Sequence, residues 1–276
     1  MYSKLRILIF CICVLSPALA KADFELLPES RHLQYQTYGL YIDQQSMLIY
    51  RDSGRGWGAV GGEIALVGND DWKYKPQLVV HASANAAYQI NAQGNTLLTQ
   101  TIDARVGLAL DFTFTDKFRG AIIWTHQSGH VADNVPDLDL FGSNLGNEVI
   151  DFRFIRDIDT TWRLGGGIRP TVGSDPGMVV LGAEEFAEYF PLGEGLNPHQ
   201  FKPFAAVGFE QYGREEIRWS SNVEIGMSAG SHFQPVHHAA LRVVLGYYNG
   251  NDPRLKYYQF KNSRQAFAYG GLEFDI

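Results

Sequence analysis

Large apolar residues recur at every second position through much of this chain. In "DARVGLALDFTFTD" (residues 103–116) Val106, Leu108, Leu110, Phe112 and Phe114 fall on one side, with Arg105, Gly107, Asp111 and Thr113 on the other. A period of two is the mark of a β-strand with one apolar and one polar face. "TWRLGGGIRP" sets Trp162, Leu164 and Ile168 against Arg163, Gly165 and Arg169, and "IRWSSNVEIGMS" sets Trp219, Val223, Ile225 and Met227 against Arg218, Asn222 and Glu224. "ALRVVLGYY" repeats the arrangement, with Leu241, Val243, Leu245 and Tyr247 opposite Arg242 and Gly246. Charges and glycines collect on the non-apolar face each time.

Alternation alone fits a soluble sandwich as well as a barrel, so length and ends must decide. The strands run to about 10 residues or more, beyond the usual 5 or 6 of soluble sheets. Aromatic residues crowd strand ends, and Trp57, Trp124, Trp162, Trp219, Tyr247, Tyr248, Tyr257 and Tyr258 are read as interfacial girdles. Twelve strands are expected, beginning near residues 33, 57, 76, 101, 117, 148, 161, 179, 202, 217, 237 and 257. The expected fold is therefore all-β, a transmembrane antiparallel up-and-down β-barrel of 12 strands.

Connections sort by length. "TDKF" and "DIDTT" read as tight periplasmic turns, while "DQQSMLIYRDSGRGW" and "VADNVPDLDLFGSNLGN" read as long outward loops. Two places are weak: residues 183–190 also read as a short helix, and the second strand has a thin apolar face. Inward positions carry Glu63, Asp103, Arg105, Asp111, Asp151, Arg153, Arg163, Arg169, Arg218, Glu224 and Arg242, a set expected to plug the lumen rather than line a pore.

Composition places the chain outside the cytoplasm. The start, "MYSKLRILIFCICVLSPALAKADF", has Lys4 and Arg6 ahead of an apolar run from Ile7 to Leu15, then Pro17 and a small-residue end at Ala18-Leu19-Ala20. This is the layout of a cleaved secretory signal covering residues 1–20, followed by a single domain over residues 21–276. Phe10 before Cys11 argues against a lipoprotein signal. Cleavage would remove both cysteines, Cys11 and Cys13, and take the net charge from −7 to −9 with the loss of Lys4 and Arg6. A disulfide framework is then excluded, and the acidic balance argues against nucleic acid as a partner.

Further resemblances rest on particular residues. "FELLPESRHLQYQ", "WTHQSGHVADN", "YGREEIRW" and "LGYYNGNDPRLKYYQF" resemble, in order and spacing, the outer-membrane family called domain of unknown function 1207, which implies an outer-membrane barrel of a Gram-negative bacterium and no particular activity. The ending "FAYGGLEFDI", with Gly271, Phe274 and Ile276, resembles the C-terminal signal read by the barrel assembly machinery, Ile standing where Phe is commonest. "HQS" near a strand end, before a long loop and an Asn-bearing strand, is similar to outer-membrane phospholipase A. Lipid A deacylase barrels share a His-x-Ser pair with Glu as third member. These likenesses imply His126 as base and Ser128 as nucleophile. They bring Ca2+ as a cofactor by resemblance only, outer-membrane phospholipid or lipid A as the partner, and leave a homodimer open.

Pleat parity bears on the pair independently. Residues i and i+2 of a strand share a face, so His126 and Ser128 point the same way, together with Phe118, Ile122, Trp124 and His130. That is the apolar, lipid side, at the outer end of an ascending strand, where an enzyme acting on acyl chains would hold its site. In the following strand Glu148 has the outward parity, whereas Asn147, the match to the phospholipase asparagine, has the inward one unless a bulge intervenes. Glu148 therefore ranks above Asn147 as orienter, with Asp133 third, and Gly129 is the candidate for an oxyanion hole. The rival reading keeps these residues as rim decoration on a non-catalytic structural barrel or narrow channel. A third, a soluble β-sandwich, is disfavoured by the chain ending. Asp133, Asp137 and Asp139 match no EF-hand spacing. His237 and His238 are adjacent and point oppositely, so neither group is read as a metal site.

Overall fold

The computed structural model describes residues 24–28, 46–51, 54–91, 96–131, 144–174, 181–193, 200–213, 217–229, 240–251 and 264–275. A two-residue strand, β1 (Glu25–Leu26), precedes β2 (Ser46–Arg51), β3 (Arg55–Gly68), β4 (Gln77–Asn91), β5 (Thr96–Thr115), β6 (Phe118–Val131) and β7 (Asn144–Asp157). The rest are β8 (Trp162–Ser174), β9 (Leu181–Tyr189), β10 (Lys202–Gly213), β11 (Ile217–Ala229), β12 (Ala240–Gly250) and β13 (Gln265–Asp275). From β2 to β13 each strand pairs antiparallel with its sequence neighbours, and β13 pairs back to β2, with Leu272 opposite Leu48. The result is a closed, up-and-down, 12-stranded barrel. β1 lies outside the cycle, paired to the end of β3.

Polarity is inverted relative to a soluble protein. Val106, Leu108, Leu110, Ile122, Phe154, Leu164, Ile168, Val223, Ile225, Val243 and Leu245 are exposed on the outside, Leu245 by 63%. Arg105, Arg153, Arg163, Arg242, Asp103, Asp111, Asp151 and Glu224 are buried inside, and Glu63, Arg169 and Arg218 share their inward face while half-buried. Apolar side chains inside form two clusters, one around Trp57, Phe204, Tyr248, Phe267 and Tyr269, the other around Val79, Ile123, Ile155 and Phe186.

Bare inward positions make room for these rings. Gly246 lies directly opposite Tyr269, and a Cβ there would sit 2.1 Å from the tyrosine ring. Gly165 stands in the same relation to Phe186. The Tyr269 hydroxyl lies 2.7 Å from Asn222 Oδ1 and 2.5 Å from Glu224 Oε1, so the ring that lies over Gly246 carries its hydroxyl into the polar interior.

Charged groups complete the filling. Arg153 donates to Asp151 at 2.9 Å, and Arg169 donates to Asp151 at 2.7 Å and to Glu184 at 2.8 Å. An ion contact of 3.2 Å between Arg153 and Glu184 closes the ring of four alternating charges. Arg153 and Glu184 belong to β7 and β9, and both register with Gly167 of the intervening β8, a bare position across which they meet. Arg163 bridges Asp157 and Glu188, and Arg242 meets Glu273.

Several expectations need correction. The segment read as an outward loop, residues 43–57, contains β2, leaving only a short connection before β3. Residues 183–190 do not form a helix; 183–189 lie in β9, with Glu184 and Glu188 inward against arginines. Trp57 and Tyr248 are not girdle residues, since both are buried inside the barrel, Trp57 stacked on Phe267 at 5.1 Å. Trp124, Trp162, Trp219 and Tyr247 do face outward. The thin face of the second strand is β3, whose outward Gly58 and Gly62 leave gaps among Val60, Ile64 and Leu66. The strand starts near 33 and 257, Tyr257, Tyr258, Ile276 and the signal at 1–20 lie outside the described residues.

Candidate functional site

β6 and β7 run side by side in unbroken register from Phe118 opposite Arg156 to His130 opposite Asn144. Their alternation therefore fixes which side chains meet on the outer surface. One row across the sheet reads Val106, His126, Glu148, and the next toward the end of β6 reads Ala104, Ser128, Gly146. On the other side lies Leu108, Trp124, Ile150. His126 and Ser128 thus share the outer face, flanked on β5 by exposed Ile102 and Val106.

Glu148 stands directly opposite His126, and its Oε1 lies 3.4 Å from His126 Nδ1. The contact is long for a hydrogen bond. Free sites often hold such contacts loosely until substrate arrives. A carboxylate that accepts in this contact takes the proton of Nδ1, which leaves Nε2 as the nitrogen able to accept. The second carboxylate oxygen, Oε2, accepts from Trp124 Nε1 at 2.7 Å. The side chains of His126 and Glu148 are 42% and 36% exposed, so the pair lies on the surface rather than in the lumen.

Asn147 is placed elsewhere. It is buried at 7% exposure on the inner face, opposite Gln127, and cannot reach His126 through the wall. A bulge does occur next to it, where β8 inserts Val172 between the partners of Glu148 and Val149, but the alternation of β7 continues undisturbed. The bulge brings Gly173 opposite Glu148, where a Cβ would stand 3.2 Å from Glu148 Cγ; the bare position leaves the glutamate its space.

Two parts of a hydrolytic site are not assembled. No hydrogen bond joins Ser128 to His126 among the described residues, although residues i and i+2 place them roughly 7 Å apart along the backbone. Gly129 is paired with Asp103 on one side and Leu145 on the other, so its backbone is committed to the sheet rather than free to bind an oxyanion. Among the described residues no group of three or more His, Cys, Asp or Glu is arranged to hold a metal ion. Asp133, Asp137, Asp139, His237 and His238 lie outside them.

Trp124 is the member that sequence reasoning assigned only to a girdle. Its parity with His126 was visible, and so was its indole donor. The register that brings it diagonal to Glu148 depends on how β6 pairs with β7. A scan against protein-family models finds no match for this chain, and a search of curated proteins finds none either.

Proposed function

We propose that this chain is an integral outer-membrane barrel of a Gram-negative bacterium and that Ser128, His126 and Glu148 hydrolyse an acyl ester of outer-leaflet phospholipid or lipid A. The membrane part rests on the inverted polarity: an exposed apolar belt needs a lipid solvent, and closure leaves no unpaired edge in it. The hydrolytic part rests on one observation, the Glu148 carboxylate held 3.4 Å from His126 Nδ1 on that belt's face. Ionisable groups facing lipid are costly, and they are kept where they work.

In the proposed reaction Nε2 of His126 takes the proton of Ser128 as its oxygen attacks the acyl carbonyl. The proton passes to the departing alcohol oxygen, leaving an acyl-serine ester, and water activated by the same imidazole releases the fatty acid. The outer leaflet as location, the export reading of residues 1–20, the assembly reading of Gly271, Phe274 and Ile276, and the likeness to domain of unknown function 1207 belong to the same proposal. Ca2+ enters by the phospholipase resemblance alone, and the homodimer is left open.

A second reading, a non-catalytic barrel, is favoured by the missing bond between Ser128 and His126 and by the Trp124–Glu148 contact, which would anchor a rim without catalysis. The ion-paired interior argues against the channel version of it. Turnover of phospholipid and lipid A by detergent-refolded protein separates the readings. The hydrolase reading expects activity in the parent and its loss in Ser128→Ala; equal turnover by both, or none by either, removes it.

A further inference from the structure

We infer that Trp124 is a positioning residue of this site, holding Glu148 so that its free oxygen faces His126 and thereby fixing which imidazole nitrogen is the base. The inference rests on the hydrolase reading for its catalytic consequence, but the contact itself stands on geometry.

Three observations converge. Trp124 Nε1 donates to Glu148 Oε2 at 2.7 Å, shorter than the 3.4 Å contact of the same carboxylate with His126 among the described residues. A glutamate has three rotatable bonds, and directly opposite it on β8 stands the bare Gly173, which has no side chain to hold the carboxylate. Exposed Ile102, Val106 and Val172 surround the patch, so water has little access once acyl chains cover it. The restraint therefore falls to the indole.

Indole suits that task chemically. It donates and does not accept, so it cannot compete for the proton that His126 must move. It stabilises the carboxylate where solvation is poor, and its ring keeps the apolar face continuous with Leu108 and Ile122. A lysine or arginine there would pair with Glu148 as an ion and draw it from the imidazole.

Trp124→Phe removes the N–H and retains an aromatic ring. With that variant refolded and its heat-modifiable gel mobility equal to the parent's, 15N spectroscopy of the His126 ring reads the tautomer directly. The parent should show the proton on Nδ1, Glu148→Ala should show the tautomer preference lost, and Trp124→Phe should fall between them or match Glu148→Ala. In turnover on phospholipid micelles, Trp124→Phe should lower kcat by about 10- to 100-fold, the range for one hydrogen bond to a charged group. KM should stay within about 2-fold, because no substrate contact is removed. An unchanged His126 tautomer in Trp124→Phe overturns the inference, and so does a rise in KM with kcat untouched. If the parent turns over no ester, the hydrolase reading fails on its own, and the tautomer experiment still decides whether Trp124 positions the pair.

Discussion

The ring of Asp151, Arg153, Glu184 and Arg169 offers a quantitative test of how the interior is held. Replacing Arg169 by Met keeps most of the side-chain length and removes two charge-assisted hydrogen bonds, 2.7 Å to Asp151 and 2.8 Å to Glu184. Two inward carboxylates are then left with Arg153 between them, so the four positions go from neutral to one net negative charge. Asp151 and Glu184 are about 4% exposed, and little water can replace the lost donor. Breaking a buried pair in this way costs about 3 to 5 kcal/mol. The Arg169 side chain is itself 12% exposed, which places the expectation at the low end, about 3 kcal/mol. The assay is reversible guanidinium unfolding of the lipid-reconstituted barrel, run as a double-mutant cycle with Asp151→Asn. Removing one charge of each sign should recover part of the loss, with a coupling of about 1 kcal/mol or more. A loss under about 1 kcal/mol for Arg169→Met, or strict additivity in the cycle, would refute the ring as a stabilising unit.

Other outcomes follow from single contacts. Gly246→Ala should cost about 1 to 3 kcal/mol, because its Cβ would meet the Tyr269 ring, whereas Gly62→Ala, which meets nothing within 4 Å, should stay within about 0.5 kcal/mol; the same unfolding assay compares them. The parent in planar bilayers should give no stepwise conductance, and sustained ion-selective steps would show that the interior is not plugged. In the turn between β7 and β8 the carboxylate of Asp159 accepts from the Thr161 hydroxyl and from the Thr161 and Trp162 amides, and these bonds, the hydroxyl's first, lower its pKa. A depressed carboxylate stabilises the turn above its unfolded pKa and loses that contribution as pH falls through the folded value. The Thr161 and Trp162 amide resonances should therefore move in acid with a midpoint below the ordinary aspartate value, and Asp159→Asn should abolish the transition.

Much of this was legible in the chain because a period of two survives tertiary context when one face meets an apolar solvent. Val106 through Phe114, or Trp219 through Met227, could not be turned over without placing Asp111 or Glu224 outside, so parity alone put Glu148 on the face of His126 and Asn147 on the other. The same logic placed a strand start near 179 but left residues 183–190 readable as a short helix, because "GAEEFAEY" is rich in good helix formers. Its Glu184 and Glu188 are held in a strand by arginines on β7 and β8, partners far away in sequence. Trp57 and Tyr248 misled because an aromatic near a strand end looks alike on either face. β2 was hidden by its length of 6 residues among turn-forming neighbours. The Trp124–Glu148 bond needed the register of β6 against β7, which alternation within each strand does not fix.

The most direct test of the account is covalent. A fluorophosphonate ester reacts with a serine whose proton an imidazole can take, and mass spectrometry of the refolded barrel locates the adduct. The account predicts labelling at Ser128 in the parent, strong reduction in Glu148→Ala and none in His126→Ala. Labelling absent from the parent, placed on another serine, or undiminished without His126 would contradict it.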